Sequence, residues 1–491
     1  MSESSSSPAL AGGAPSPVGQ IAPAEIDLSC RVPLLVLFLA AGAWLLLGSS
    51  FALIASIKFH SPDFLADCAW LTYGRVRPAY LNTVLYGFCV QAGLGLALWM
   101  FARLGRTRLA QPWLTLLGGA LWNVGLAIGV GEILAGNSTG FEHLELPVHA
   151  VVLAGLGYLL IAIGGVMTFH QRRERELFVS QWFLFSALFW FAWIYSTANL
   201  LLLVFPVRGV AQAVLAWWYS DNFLLVWLSL VGLAGAFYFV PRLAERDLHS
   251  RYLALFTFWV LVLFASWGGV PATAPVPAWM PTVSTIAAAF LLLLVLAVAL
   301  NVFQTMGRFV LFAPGKPALS FVLLGVAAFV LGNLAKALVA LFGARSLLQF
   351  TWFAGAESQL QFYGFFVMVS FGAIYHILPR LLGLGFPFPG LVRAHLGLAL
   401  AGVVLAVGPL AIGGVIQGLQ LQNANIAFVD IMNRSLLFLR VSTIGDLLLF
   451  LGHVAFIGNM VGLGVRYYRA RAMAAYATVT ADLFNPAGAK S

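Results

Sequence analysis

The 491-residue sequence has very few charged side chains, since Asp, Glu, Lys and Arg together make up only 9% of it. Hydrophobic residues make up 61%, and the mean hydropathy is +0.95. A chain of this size that folds in water cannot hide so much apolar surface. The composition therefore excludes a soluble protein. It predicts one that crosses a membrane many times, with the lipid bilayer as its surroundings.

Cysteine is almost absent as well. Cys30, Cys68 and Cys89 stand alone, without metal-binding spacing and without even pairing. This excludes a disulfide framework, and we expect three small residues in the protein interior or at helix interfaces. The sequence also lacks a stripe of Lys and Arg with interleaved aromatic residues, which argues against nucleic acid as a partner.

Long apolar runs fill most of the chain. Twelve of them have about 18 residues or more, the length at which a helix can cross a bilayer. Most connections between them are short, which predicts an all-α bundle of mainly antiparallel helices. The runs are 32–57, 82–104, 112–134, 147–169, 180–204, 217–240, 253–270, 281–305, 317–342, 357–382, 395–418 and 441–466.

Two polar ends flank a single membrane domain. Residues 1–27 are predicted to be a disordered cytoplasmic tail, 28–471 the twelve-helix domain and 472–491 a cytoplasmic C-terminal tail. Lys and Arg are unevenly spread, with 17 in or beside the even-numbered loops and the C-terminal tail and 7 in or beside the odd-numbered loops. Because cytoplasmic loops collect positive charge, both termini are predicted to lie in the cytoplasm.

Several motifs follow one another in a distinctive order. They are TYGRVRP at 72–78, WWYSDN at 217–222, FYFVPRLAERDLHS at 237–250, FW at 258–259, WGG at 267–269 and GAIYHILPRLLG at 372–383. In these motifs and their spacing the chain resembles subunit I of cbb3-type cytochrome c oxidases, a group of the haem–copper oxidase superfamily, which also contains nitric oxide reductases. The resemblance implies that subunit's twelve-helix fold and the bacterial inner membrane as its location. It also implies other membrane subunits of a respiratory complex as partners.

Measured against that family, the chain lacks histidine where the metal ligands are expected. The family uses haem b, haem b3 and copper, all bound through imidazole nitrogens. The positions that correspond to haem ligands hold Tyr80, Glu357 and Gln359, and those that correspond to copper ligands hold Asp221, Pro271 and Ala272. The family's active-site tyrosine is replaced by Ala265. These replacements predict a chain without haem or copper.

The ligand positions that lack histidine predict specific contacts between the residues that occupy them. Tyr80 and Gln359 should face each other across the low-spin haem position and hydrogen-bond directly or through water, because unpaired polar groups are costly in a membrane. By the resemblance, Asp221 and Glu357 point into one pocket. They are interpreted either as a proton or cation site or as satisfied polar residues lining a relic cavity. Lys336, inside the ninth run, extends to the membrane interface, takes part in a proton path or pairs with Glu357.

An acidic pair stands in the loop before the fourth run. Glu142 and Glu145 could hold a structural cation, although a hard cation needs more oxygen ligands than two carboxylates supply. The alternative is an ordinary solvated loop.

Three functions remain open at this point. The leading hypothesis is a homologue that has lost haem and copper binding and oxygen reduction, and that serves as a structural or regulatory membrane subunit of a respiratory complex. The second is an active terminal oxidase or nitric oxide reductase subunit with altered ligands. The third is a proton- or cation-conducting membrane protein that uses Asp221 and Glu357.

Overall fold

The computed structural model describes residues 21–484, and these residues form helices and loops without a β-strand. Most of the predicted disordered tail, residues 1–20, lies outside the described part of the chain, as do residues 485–491 of the predicted C-terminal tail. The first helix begins at Pro23, where the fixed φ of proline suits the first helical turn.

Twelve long helices run up and down through the described residues. Eleven of them are long and apolar enough to cross a membrane, and the seventh is a shorter apolar helix. The all-α prediction is therefore confirmed. The helices are α1 (Pro23–Lys58), α2 (Tyr73–Leu104), α3 (Pro112–Ala135), α4 (Val148–His170), α5 (Val179–Val204), α6 (Val210–Ala244), α7 (Arg251–Trp267), α8 (Trp279–Met306), α9 (Pro317–Leu341), α10 (Trp352–Leu382), α11 (Pro389–Leu421) and α12 (Phe428–Phe484).

Several helices extend beyond the apolar runs. The helix α2 begins at Tyr73 rather than at 82, α6 at Val210 rather than at 217, and α10 at Trp352 rather than at 357. Their first turns carry polar residues, which hydropathy counts against a membrane helix. At the other end of the chain, α12 continues through the predicted tail as far as Phe484.

The loops collect on two faces of the bundle, and hydrogen bonds on each face join loops to helix ends or to other loops. On the face that carries both ends of the described chain, the terminal face, Arg251 donates to the Leu177 carbonyl and Lys316 to the Leu243 carbonyl. On the other, the opposite face, Arg77 pairs with Glu142 and Gln349 donates to Thr273. The terminal-face loops are 105–111, 171–178, 245–250, 307–316 and 383–388, and the opposite-face loops are 59–72, 136–147, 205–209, 268–278, 342–351 and 422–427.

Three helices form the centre of the bundle. In α2, α6 and α10 the apolar segments are 100%, 94% and 89% buried, against at most 61% in the other membrane-length helices. Each central helix contains a π-helical segment: Thr83–Val90, Asn222–Trp227 and Leu360–Val367. A further π-helical segment, Leu200–Val204, ends α5. Such segments insert an extra residue into a turn, change the direction of the following side chains and often occur at functional sites.

Candidate functional site

The three polar residues predicted at the main ligand positions lie where the central helices change their winding. Tyr80 lies one turn before the π-helical segment of α2. Asp221 and Gln359 each directly precede the π-helical segment of their own helix. The structure therefore places all three at equivalent points of the helices that meet in the middle of the protein. No local pattern in the sequence indicates the change of winding.

Tyr80 and Gln359 line one cavity of about 340 Å³, which we call the Tyr80 cavity. Gln359 Oε1 is buried without a hydrogen-bond partner among the described residues, so Tyr80 does not donate to it directly. The direct bond predicted between Tyr80 and Gln359 is therefore wrong. The alternative, a bond through water in the cavity that both side chains line, stays a prediction.

Residues that the sequence analysis missed also line the Tyr80 cavity. His143 closes one side, and its Nδ1 lies 2.7 Å from Ser220 Oγ. Asp446 and Ser442 of α12 form another wall. No motif marked these residues, because they come from a loop and a helix outside the motifs.

Asp221 and Glu357 are joined by Lys336, and we call the three residues the Lys336 triad. Lys336 Nζ lies 2.6 Å from Asp221 Oδ1 and 3.5 Å from Glu357 Oε1. All three side chains are at most one-third exposed. They line a cavity of about 230 Å³ between α6, α9 and α10. The structure thus shows the ion pair predicted between Lys336 and Glu357, and adds a shorter one with Asp221 that was not predicted.

The WGG motif packs against Asp221 of this triad. A Cβ at Gly268 would lie 2.2 Å from Asp221 Oδ2, and one at Gly269 would lie 2.6 Å from the Trp217 carbonyl oxygen. Gly269 also has a φ of +102°, which L side chains rarely adopt. Glycine at both positions therefore lets the chain after α7 pack directly on the Asp221 carboxylate.

The remaining predicted copper positions are not part of this cluster of charges. Pro271 and Ala272 follow α7 in a loop, and Ala272 is exposed. Pro271 lines a neighbouring cavity of about 180 Å³ together with Lys336 and Glu357, but neither Pro271 nor Ala272 offers a side-chain donor. Ala265 is buried at the end of α7.

The acidic pair of the opposite face is divided between two partners. Glu142 accepts a hydrogen bond from Arg77 at 2.9 Å, and both side chains are largely solvated. Glu145 is buried and accepts one from Asn82 Nδ2 at 2.8 Å. Burial raises the pKa of Glu145 to about 7. Among the described residues, no group of three or more His, Cys, Asp or Glu side chains is arranged to hold a metal ion.

The raised pKa of Glu145 gives a pH-dependent stability. A folded-state pKa of about 7 against an ordinary glutamate pKa of 4.5 means that the folded protein binds this proton more tightly than the unfolded chain. Stability should therefore fall as the pH rises from about 4.5 to 7, by about 3 kcal/mol in total. Glu145→Gln keeps the oxygen that accepts from Asn82 and should remove this loss, as measured by unfolding in detergent at pH 5 and pH 8.

The control for this measurement is Glu142→Gln, which removes a solvated carboxylate that pairs with Arg77 nearby. It should change stability by no more than about 1 kcal/mol and should keep most of the pH dependence. Parallel pH profiles for the original protein and Glu145→Gln would contradict the role of Glu145.

Comparisons with known proteins agree with the motif resemblance. The model of the family described as Cytochrome C and Quinol oxidase polypeptide I matches residues 32–448. The cbb3-type cytochrome c oxidase subunit CcoN1 of Stutzerimonas stutzeri is 24% identical over 85% of this chain and 91% of its own length. Cytochrome c oxidase subunit 1 of Rhodobacter capsulatus is 24% identical over 86% and 83%. The resemblance predicted from the motifs is therefore confirmed.

A solved structure shows the same fold. It is the cryo-EM structure of a heme-copper terminal oxidase dimer, with a TM-score of 0.68 and 13% sequence identity. The alignment covers 89% of this chain and 84% of the other. At this identity the likeness concerns the architecture, and it confirms the subunit I type of twelve-helix bundle.

These comparisons correct one expectation, that the chain has no cofactor. The similar proteins are oxidases of the heme-copper class, so missing histidines at inferred positions are not evidence that haem or copper has been lost. The inference treated the histidine pattern as the only one possible, whereas other side chains, tyrosine among them, can ligate haem iron.

The two carboxylates at the inferred positions, Asp221 and Glu357, already have Lys336 as a charge partner. A phenol and an amide stand at the low-spin haem position, and the one carboxylate at the copper position already pairs with Lys336. Copper is normally bound by several imidazole or thiolate ligands, which this set does not supply. These residues do not fit a histidine-ligated haem or copper centre, so we assign no ligand role to them.

Proposed function

This chain belongs to the Cytochrome C and Quinol oxidase polypeptide I family, and from that membership we propose that it is a structural or regulatory membrane subunit of a respiratory complex. Its place is the bacterial inner membrane. In this role the chain stabilises the complex or regulates its activity, and it does not itself reduce oxygen or nitric oxide.

The Lys336 triad is the observation that carries this proposal. At the inferred copper and high-spin haem positions, Asp221 and Glu357 share one ammonium group. A buried charge without a partner is very costly, and a paired one links the elements that supply it. The triad ties α6, α9 and α10 together at the point where a reductase of this family would need an open reaction site. This arrangement supports a structural role for the centre of the bundle.

Conduction through Asp221 and Glu357 is less well supported. A cation that entered this pocket would have to compete with Lys336, whose Nζ is 2.6 Å from Asp221 Oδ1. Like charges repel strongly in surroundings of low polarity. The two carboxylates are therefore better suited to binding the lysine than to passing an ion.

Orientation in the membrane follows from the distribution of positive charge. The terminal face carries the even-numbered loops. In or beside these loops and the C-terminal tail lie 17 of the Lys and Arg residues. We assign this face, and with it both termini, to the cytoplasm.

Three experiments, on the purified chain, on a gene-deletion strain and on membrane vesicles, test the proposal. The full-length chain, purified with a C-terminal tag, should consume neither oxygen nor nitric oxide above background when supplied with an artificial electron donor. Deletion of its gene should lower the amount or the turnover of a respiratory complex in native membranes. Protease should remove the same tag from inverted membrane vesicles and leave it intact in right-side-out ones.

Two variants show what would overturn it. Asp221→Asn changes the triad, and Lys316→Met changes the exposed pair with Glu245 as a matched control. Oxygen uptake by the purified chain that Asp221→Asn abolishes and Lys316→Met preserves would establish a catalytic centre instead. Unchanged respiratory complexes in the deletion strain would also contradict the proposed role.

A further inference from the structure

Each of the three central helices carries an arginine where it ends at the terminal face. Arg103, Arg242 and Arg380 lie in the last turns of α2, α6 and α10. A positive side chain near the C-terminus of a helix stabilises that helix. This explains one arginine on each helix, but it does not require the three side chains to meet.

The ends of α6 and α10 share one local structure. Residues 241–243 and 379–381 both read Pro-Arg-Leu, within two of the motifs of the sequence. Both helices stop three residues after the proline, and the next residue is left-handed, Glu245 with a φ of +59° and Gly383 with a φ of +66°. Each arginine therefore occupies the same place relative to its helix end. The Lys336 triad does not involve these two motifs.

The three arginine side chains meet around two rings. The guanidinium carbon of Arg103 lies 5.7 Å from the centre of the Trp99 ring, which lies 5.9 Å from the centre of the His376 ring. Nη1 of Arg380 lies 3.2 Å from His376 Nδ1. Arg242 lines one cavity with Arg103 and a second cavity with Arg380, so it stands between them.

Both cavities lie at the terminal face and have an excess of positive charge. The first, which we call the Arg103 cavity, has a volume of about 1030 Å³ and five arginines and two glutamates in its walls. The second, the Arg380 cavity, has a volume of about 900 Å³ and is lined by three arginines and one lysine with two carboxylates. Cavities lined mainly by one sign of charge concentrate ions of the other sign.

Arg242 is the arginine without a counter-charge of its own. Asp27 lies 3.4 Å from Arg103, and Glu174 lies 3.4 Å from Arg106. In the described part of the chain, the guanidinium group of Arg242 has no hydrogen bond and no ion pair. The side chain is exposed at the point where the two cavities meet, so all its donors are available to a ligand.

We propose that the ends of α2, α6 and α10 bind the phosphate group of an anionic ligand, with Arg242 at the centre and Arg103 and Arg380 on either side. A guanidinium group donates two parallel hydrogen bonds to an oxyanion. Phosphate offers oxygens in several directions, whereas a carboxylate offers two in one plane. Three arginines that come from different helices therefore suit phosphate, and the hydroxyl of Tyr238 in the wall of the Arg103 cavity is a further donor.

Apolar side chains lie beside the arginines and can cover the carbon skeleton to which the phosphate is attached. Those of the Arg103 cavity include Leu104, Leu177, Phe178 and Leu248. Two sources have this chemistry, the headgroup of an anionic phospholipid and a phosphorylated compound in solution. In either case the bound phosphate joins the last turns of the three central helices. The site is separate from the Lys336 triad and does not rest on the proposed role in a respiratory complex.

The test measures binding of two phosphate probes to the full-length chain in neutral detergent by isothermal titration calorimetry. Inorganic pyrophosphate represents the soluble source, and dihexanoyl phosphatidate carries a phosphate group on a short lipid. Dihexanoyl phosphatidylcholine is the control, because its choline group neutralises the headgroup. At least one phosphate probe should bind at a single site per chain and about tenfold or more tightly than phosphatidylcholine. Tighter binding of phosphatidate assigns the site to a lipid headgroup, and equal or tighter binding of pyrophosphate assigns it to a soluble compound.

Three variants locate the site. Arg242→Gln removes the central guanidinium group and should weaken binding by about tenfold or more. Arg308→Gln is the matched control, because it removes the same charge from an exposed side chain in a loop of the same face, and it should keep the affinity within about twofold. Arg380→Gln should act like Arg242→Gln, and it decides the question if the Arg242→Gln protein fails to fold.

Three results would overturn the phosphate site. They are the absence of saturable binding of both phosphate probes, binding of phosphatidylcholine as tight as that of the tighter phosphate probe, and equal affinities of the Arg242→Gln and Arg308→Gln proteins.

Discussion

Replacement of Lys336 by methionine is expected to lower the free energy of unfolding by about 3–5 kcal/mol. Methionine keeps the length of the side chain and removes the ammonium group. Asp221 and Glu357 then remain as two like charges in a partly buried cavity, with Asp221 Oδ2 already lacking a partner among the described residues. Unfolding in mixed detergent, followed by circular dichroism, measures the change.

Two further variants separate the charge effect from general damage. Lys316→Met removes an exposed partner of Glu245 and should cost at most about 1 kcal/mol. Adding Asp221→Asn to Lys336→Met removes one of the uncompensated charges and should restore part of the lost stability. If Lys336→Met is as stable as the original protein, the triad does not hold the three helices together.

The second large effect is expected at the contact between α11 and α12. A Cβ at Gly445 would lie 2.2 Å from the Ala406 backbone nitrogen, so the two helices touch through their main chains. Small residues allow such close approach of membrane helices. Gly445→Leu must push the helices apart, and we expect a loss of about 4 kcal/mol or more, or failure to fold.

Gly458 on the same helix supplies the control for this experiment. It is exposed, and a Cβ there would meet nothing within 4 Å. Gly458→Leu should be tolerated and can gain about 1 kcal/mol from its better helix propensity. Equal yields and equal thermal stability of the two leucine variants would show that the close contact at Gly445 is not needed.

The overall architecture could be predicted from the sequence because a bilayer allows few backbone conformations. Backbone groups in hydrocarbon must pair within their own segment, so a long apolar run is nearly always a helix. This rule predicts the twelve helices, including the shorter α7. It fails at the starts of α2, α6 and α10, since polar residues that face the centre of a bundle lower hydropathy without ending the helix.

The candidate site could be predicted only in part. The alignment of the motifs with the family predicted that Asp221 lies near Glu357 and Tyr80 near Gln359. It could do so because the ligand positions of one fold lie close together whichever residues occupy them. It did not reveal that Lys336 joins the first pair. That contact depends on how α9 packs against α6 and α10, and no local pattern in the sequence encodes this packing.

The contact between His395 of α11 and His453 of α12 shows a second limit of sequence reasoning. His395 and His453 are separated by 58 positions in the sequence, and each stands alone in an apolar stretch. An isolated histidine in such a stretch gives no indication of its partner. Only the packing of α11 against α12, through glycines such as Gly445, brings the two rings together.

The length of α12 gives the protein a mechanical connection between its interior and its surroundings. The helix has 57 residues, which corresponds to about 85 Å, whereas the hydrocarbon of a bilayer is about 30 Å thick. Its far end carries exposed aromatic residues such as Tyr468 and Tyr476. A neighbouring subunit that binds this end holds the same rigid rod that carries Asp446 and His453, so a small turn or shift of the rod moves both of them inside the membrane.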